Sequence, residues 1–192
     1  NPAELNTIHK QIQLSGDTMV FLYTRKDDEV QNIYASVKTP KENIQINGFI
    51  SYTNADDVVV EEININDVPL IKIKGSIGAA TPLTQYIQII DNKVVSFFET
   101  DSHTVEDDAD QDGKKELIVS TALTIPETSI IKLNSKNEIK IANLNDIMQG
   151  SVSYRQDTKQ FDVYYGANQK QPERYELTPE GMRFIEYIWP IM

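Results

Sequence analysis

An acidic stretch at residues 99–120 holds the side chains whose types and spacing could do chemistry. Its sequence, ETDSHTVEDDADQDGKKELIVS, carries eight acidic residues and then runs into an apolar segment. Inside it, acids at alternate positions precede a glycine and a further acid: Asp108, Asp110, Asp112, Gly113 and Glu116. Alternate side chains of a tightly curled loop converge on one point, and glycine permits the sharp turn that the curl requires. The spacing therefore predicts a metal site lined by oxygen atoms.

The predicted ligands are all hard oxygen donors, which suit calcium. They are the carboxylates of Asp108, Asp110, Asp112 and Glu116, with the backbone carbonyl of Lys114 as a main-chain ligand. A helix-loop-helix calcium site needs a bidentate glutamate at its twelfth position, and the twelfth residue counted from Asp108 is Val119. The following segment, ELIVSTA, also has the composition of a strand. We therefore predict a calcium loop at residues 108–116, named here the acidic loop, that leads into a strand.

Two other interpretations of the acidic loop stay open from the sequence. Charge runs often form solvated turns without a ligand. A pair of the acids could also be catalytic, although glycoside hydrolysis needs two carboxylates that face each other across a cleft. The neighbouring Glu106 and Asp107 lie outside the ligand spacing, so we interpret them as outer charge. A related plan without the glycine, an acidic turn before an apolar strand, occurs at TNADDVVVEE, residues 53–62.

Composition narrows the classes of function. The chain has 192 residues, of which 40% are hydrophobic and 24% charged, and these values are typical of a soluble globular protein. A net charge of −11 disfavours nucleic acid as a partner, because binding to phosphate depends on Lys and Arg. The sequence has no Cys and only two His, His9 and His103. The absence of Cys excludes disulfides and thiolate nucleophiles. With only two His, the sequence disfavours a multi-histidine metal site and a Ser/His/Asp triad.

Short apolar runs separated by polar turns predict an all-β, mainly antiparallel fold. The runs are 18–24, 30–37, 43–52, 58–65, 68–75, 84–90, 93–100, 116–124, 129–133, 138–144, 151–156, 160–166 and 182–189. Between two of them, Asp91 and Asn92 predict a hairpin turn, because Asp and Asn tolerate left-handed backbone. We expect one β-rich domain over residues 1–192, built as a meander or as incomplete β-propeller-like sheets.

Two segments have helical spacing. AELNTIHKQI places Leu5, Ile8 and Ile12 on one face of a short N-terminal helix that would cap a sheet, and NLNDIMQ at residues 143–149 could form a single turn. The chain begins NPAELNTIHK, without Met, and contains no apolar run long enough for a transmembrane segment. We interpret this beginning as a processed end whose leader has been removed, which predicts an extracellular or cell-envelope location.

The acidic loop resembles a known family. DADQDGKKEL is similar to the calcium loop of FG-GAP repeats, found in integrin-α-type β-propellers, and of VCBS-type repeat proteins, including predicted lipoproteins of Gram-positive bacteria. The resemblance implies that Asp108, Asp110, Asp112 and Glu116 are side-chain ligands and Lys114 a main-chain ligand. The chain departs from the family pattern at Gln111, where Gly or Asn is usual, and in closing with Glu instead of Asp.

From these residues and this resemblance we expect a non-catalytic, extracytoplasmic module. Its calcium would be structural, because neutralised carboxylates hold a turn that would otherwise repel itself. The expected role is binding or scaffolding at a bacterial cell envelope, with another envelope protein or a polysaccharide as partner. Two alternatives are a secreted hydrolase that calcium stabilises and a regulatory lipoprotein that binds a protein partner.

Overall fold

The part of the chain that the structure describes is mostly antiparallel β-sheet, which confirms the predicted fold class. The computed structural model describes residues 5–52, 54–78, 81–121, 123–133 and 138–185, without the side chains of Ser96 and Phe97. These residues form four sheets of four strands each. Within the described part of the chain, no helix is long and apolar enough to cross a membrane.

The first two sheets occupy the N-terminal half of the chain. Sheet 1 contains β1 Leu5–Gln13, β2 Met19–Arg25, β3 Tyr34–Lys38 and β4 Asn43–Gln45. Sheet 2 contains β5 Val59–Ile65, β6 Val68–Ser76, β7 Pro82–Ile90 and β8 Lys93–Thr100. Strand β7 lies between two partners in its sheet, and its first seven residues are all buried, as its run of apolar and β-branched side chains requires.

The last two sheets follow the same plan. Sheet 3 contains β9 His103–Asp107, β10 Glu116–Ser120, β11 Thr128–Leu133 and β12 Ile139–Asn143. Sheet 4 contains β13 Ser151–Arg155, β14 Gln160–Tyr164, β15 Glu173–Thr178 and β16 Gly181–Phe184. Between them lies the short helix α1, Leu144–Met148, where the sequence predicts a single turn. Asn143 caps this helix by accepting the N–H groups of Asn145 and Asp146.

Each sheet is a meander, in which consecutive strands are neighbours. Short turns suffice to join antiparallel neighbours, and several turns have left-handed residues that allow a tight reversal. Asp91 and Asn92 have φ values of 52° and 62° between β7 and β8, which confirms the predicted hairpin. The meander prediction is therefore confirmed, and a propeller-like arrangement of these sheets stays a prediction.

Most strands coincide with a predicted run, and three strands, β1, β9 and β15, have none. Strand β9 lies inside the acidic stretch, and β15 has the sequence ERYELT, so their charged residues hid them. Both strands consist largely of half-buried residues, which a search for apolar runs does not detect. The last predicted run, 182–189, begins within β16, and its residues after 185 lie outside the described part.

The predicted N-terminal helix is wrong, because residues 5–13 form β1. This strand pairs antiparallel with β2, from Leu5 opposite Arg25 to Gln13 opposite Met19. Helical spacing is a weak signal in a segment of about ten residues, since such a short helix is marginal without tertiary packing. Pairing with the edge of β2 satisfies the same backbone groups, and Ile12 then packs against the core.

The chain divides into two compact units. The prediction of one domain over residues 1–192 stays a prediction. Unit 1 comprises Asn1–Asn64 and Pro69–Ser102, and unit 2 comprises Ile65–Val68 and His103–Met192. Unit 1 has a core of aliphatic residues that includes Val20, Leu22, Ile33, Val37, Ile50, Ile71, Ile73 and Ile87. Unit 2 has a core that includes Ala109, Ile118, Ile130, Leu144, Val152, Phe161 and Val163.

Candidate metal centre

The acidic loop lies in unit 2, where it connects β9 and β10. The two strands pair antiparallel, and their final pair is Asp107 with Glu116. Asp108 directly follows β9 and Glu116 is the first residue of β10, so the closing of the hairpin brings the two ends of the loop together. The sequence correctly predicts a strand after the loop, but it misses the strand before it.

Three of the predicted side-chain ligands converge. One carboxylate oxygen from each of Asp108, Asp110 and Glu116 lies within 4.8 Å of the other two. The side chains of Asp110 and Glu116 are 0% exposed, so water does not screen their mutual repulsion well. A positive charge beside this acidic cluster, defined as Asp108, Asp110 and Glu116, would therefore reduce the repulsion.

Backbone N–H groups of the loop hold these carboxylates in place. Asp108 accepts from the N–H of Gly113 at 3.2 Å, and Asp110 accepts from the N–H of Asp112 at 3.2 Å. Glu116 accepts from the N–H of Ala109 at 3.0 Å. The other oxygen of Asp108, Oδ1, is buried and has no hydrogen-bond partner. A buried carboxylate oxygen without a partner is costly, and a bound cation would satisfy it.

The backbone curls as the spacing predicts. Gly113 has a φ of 92°, a conformation that residues with a side chain rarely adopt, and Gln111 has a φ of 59° in the left-handed region. Gly113 therefore stands at the sharp turn that the ligand spacing requires. Ala109 is 0% exposed and belongs to the core of unit 2, so it anchors the start of the loop to that core.

A lysine from another strand supplies the cation that contacts the cluster, and sequence spacing does not indicate it. Lys132 lies on β11, and its Nζ forms ion pairs with Asp110 and, at 3.5 Å, with Glu116. Burial raises the pKa of the Glu116 carboxyl, and the charge of Asp110 adds to this effect while Lys132 opposes it. Burial lowers the pKa of Lys132, but the two neighbouring carboxylates outweigh burial, so the pKa is raised overall.

The β5–β6 turn, which belongs to the same unit, forms hydrogen bonds with the end of the acidic loop. The N–H of Asn66 donates to the carbonyl of Lys115 at 2.9 Å. The side-chain oxygen of Asn66 accepts from the N–H of Leu133 at 2.8 Å, and its Nδ2 lies 3.5 Å from Glu116. Asn66 thus connects the end of the loop to β11. Asn66 is 50 residues from Glu116 and 67 from Leu133, so it carries no local sequence signal of this role.

The other two predicted ligands lie outside the acidic cluster. Asp112 is exposed, and its carboxylate accepts from the N–H of Lys114 at 2.8 Å. The Lys114 side chain forms an ion pair with Asp67 at 2.8 Å, and this hydrogen bond raises the pKa of Lys114. Their roles as carboxylate and main-chain ligands stay predictions.

Asp107 has a structural partner that the interpretation as outer charge misses. Its carboxylate accepts from the hydroxyl of Tyr154 at 2.8 Å and lies 3.4 Å from Nζ of Lys159. Burial, followed by this hydrogen bond, raises the pKa of Tyr154. The same lysine donates to the backbone carbonyl of Asp108 at 3.1 Å. Asp107 therefore joins the start of the loop to sheet 4.

Comparison of the chain with protein-family models, curated proteins and solved structures gave no match. The resemblance to FG-GAP and VCBS-type repeats therefore rests on the residues of the acidic loop alone and stays a prediction.

Proposed function

We propose that this chain is a non-catalytic β-rich module whose acidic loop binds a structural calcium ion. The observation that carries the proposal is the convergence of the carboxylates of Asp108, Asp110 and Glu116, the last two with side chains that are 0% exposed. The buried Oδ1 of Asp108, which has no hydrogen-bond partner, adds to it. Their oxygen atoms match the hard ligands that calcium prefers. Asp108, Asp110 and Glu116 would hold the ion, and Asp112 and the carbonyl of Lys114 are the further ligands expected from the spacing.

The ion would supply positive charge where the fold concentrates negative charge. With its charges neutralised, the acidic loop would hold the pairing of Asp107 with Glu116 and so the register of β9 against β10. A one-residue slip would move the buried Leu117 and Ile118 to the wrong faces, so register matters for the core of unit 2. The role of calcium in this proposal is therefore to stabilise the fold.

The setting that suits such a site is rich in calcium. Extracellular calcium modules bind at about 10⁻⁴ to 10⁻³ M, so their sites are filled outside the cell and largely empty in the cytosol. We therefore propose an extracytoplasmic location and a role in binding or scaffolding at a bacterial envelope. The net charge of −11 and the resemblance of the acidic loop support this part of the proposal.

Calorimetric titration and thermal melting, with calcium or with a chelator, test the proposal. Calcium at about ten times the dissociation constant should stabilise the protein by about 1.4 kcal/mol. Asp110→Ala should remove most of the binding heat and most of the rise in melting temperature. Asp56→Ala, which removes an acid from the other acidic turn, is the matched control and should keep both.

Magnesium provides a second control, because it demands a smaller, octahedral shell and gives up its water reluctantly. It should stabilise the protein less than calcium at the same concentration. A melting temperature that is the same with calcium, magnesium and chelator, together with no binding heat, would contradict the calcium site.

A further inference from the structure

A side chain of the protein itself already places a positive charge against the acidic cluster. Nζ of Lys132 contacts both Asp110 and Glu116, the two carboxylates that are 0% exposed. The lysine side chain itself is 38% exposed. The carboxylates therefore cannot turn to water without opening the loop, whereas the ammonium group can reach water by rotating its flexible stem.

The backbone of Lys132 is fixed by its neighbours, so every rotamer of the side chain keeps the ammonium group near the acidic cluster. Its neighbours on β11, Ile131 and Leu133, are 2% and 5% exposed. The N–H of Leu133 donates to Asn66, which also donates its own N–H to the acidic loop. Lys132 is thus a cation tethered beside the acids at a high effective concentration.

Charge balance sets the ammonium group against a metal ion. Three carboxyl groups face one ammonium group, so when all three are ionised their charge exceeds that of Lys132. A divalent cation could satisfy that excess, but at the same carboxylates it would repel the ammonium group strongly, because buried charges are poorly screened. The two cations therefore compete for Asp110 and Glu116.

We propose that Lys132 is a built-in counter-ion that occupies the cluster in the absence of calcium and has to leave when calcium binds. This inference rests on the proposed calcium site and adds its regulation. Lys132 would keep the acidic loop folded without metal, and it would weaken calcium binding because the ion must displace it. The side chain thereby sets how strongly the fold depends on calcium.

The test compares Lys132→Met with Lys140→Met. Methionine keeps a flexible apolar stem and removes the charge. Lys140 is the control, because it pairs with Lys132 across β11 and β12, is exposed and loses the same charge. Calcium affinity by calorimetry should rise about tenfold or more in Lys132→Met, since one unfavourable unit charge is removed, and should change less than about twofold in Lys140→Met.

Melting in chelator supplies a readout that does not depend on calcium binding. Lys132→Met should melt at a lower temperature than the wild type, and its rise in melting temperature on adding calcium should be larger. If Lys132→Met unfolds in chelator and refolds when calcium is added, the inference is supported. Lys132→Gln, which keeps a polar group on a shorter stem, serves as a second variant.

The remaining outcomes separate the two proposals. Wild type that binds calcium only weakly while Lys132→Met binds it well supports the counter-ion role. Equal or weaker calcium affinity in Lys132→Met overturns the counter-ion role and leaves the calcium site intact. Absence of binding in both proteins overturns the calcium site and, with it, this inference.

Discussion

The two acidic turns of the chain, residues 54–58 and the acidic loop, begin alike. In each, an Asn or Asp precedes an alanine and an aspartate. The alanine is buried in both places, with Ala55 7% exposed in the core of unit 1 and Ala109 0% exposed in the core of unit 2. In the first turn the Asn54 side chain accepts from the N–H of Asp56 at 2.9 Å, much as aspartates do in the acidic loop.

The two turns differ in what happens to their acids. Asp56 has a side chain that is 83% exposed and forms an ion pair with Lys10 at 3.0 Å, so its charge is solvated. In the acidic loop, the hairpin returns Glu116 to face Asp110, and both side chains are 0% exposed. A dense run of acids is therefore not sufficient for a ligand shell. The flanking strands must bring a second carboxylate back and bury it.

The largest effect should come from Glu116→Ala, the change that undoes this return. We expect the free energy of unfolding in chelator to fall by about 1–3 kcal/mol, because the N–H of Ala109 loses a buried acceptor. Chemical denaturation measures the loss. Glu116→Gln keeps an oxygen for that N–H and should lose less than half as much. Asp57→Ala in the first turn should change stability by less than about 0.5 kcal/mol, and equal costs at the two positions would remove the contrast.

Gly113→Ala should have the next largest effect. It tests a second difference between the two turns, because the first turn contains no glycine. The φ of 92° disfavours a side chain, and no atom lies within 4 Å of the added Cβ, so the cost is conformational. We expect a loss of about 1–2 kcal/mol, measured by thermal melting. Gly166→Ala is the matched control, because an added Cβ there also meets nothing and its φ is ordinary. A melting temperature that falls equally in both variants would contradict the role of Gly113.

Asn54→Ala should cost about 1 kcal/mol, because the N–H of Asp56 loses its acceptor at the start of the 3₁₀ turn Ala55–Asp57. The cost should be the same with calcium and with chelator, since no three acids of the first turn converge among the residues that the structure describes. Asn54→Asp keeps the acceptor and should cost less. Thermal melting in both conditions measures the effect, and a cost that depends on calcium would show that the first turn also binds the ion.

Lys10→Gln should have the smallest effect. The ion pair with Asp56 is exposed, and such pairs contribute roughly 0–1 kcal/mol. The loss of stability caused by Lys10→Gln should vanish when the salt concentration is raised from about 0.05 to 1 M, because salt screens exposed charges. Denaturation at the two salt concentrations checks this expectation. A loss that persists in high salt would mean that Lys10 stabilises the first turn through its stem.

Local pattern was enough to predict most of the fold. The β-branched and apolar runs at β6, β7 and β8 coincide with strands, and the left-handed pair Asp91 and Asn92 forms the hairpin predicted there. The helical spacing of Leu5, Ile8 and Ile12 failed, because a free strand edge at β2 competes with a helix that is too short to be stable alone. Strands β9 and β15 stayed hidden, because their charged side chains are only half-buried.

For the acidic loop, the sequence by itself determined the order of acids, the turn at Gly113 and the strand that follows Glu116, since all three depend on neighbouring residues. Only the tertiary structure decided which acids converge, and it selected Asp108, Asp110 and Glu116. It also decided that Lys132 and Asn66 reach the cluster from other strands. The reason is physical: ligand spacing is a local property of the chain, whereas burial and the approach of a counter-ion depend on which strands pair.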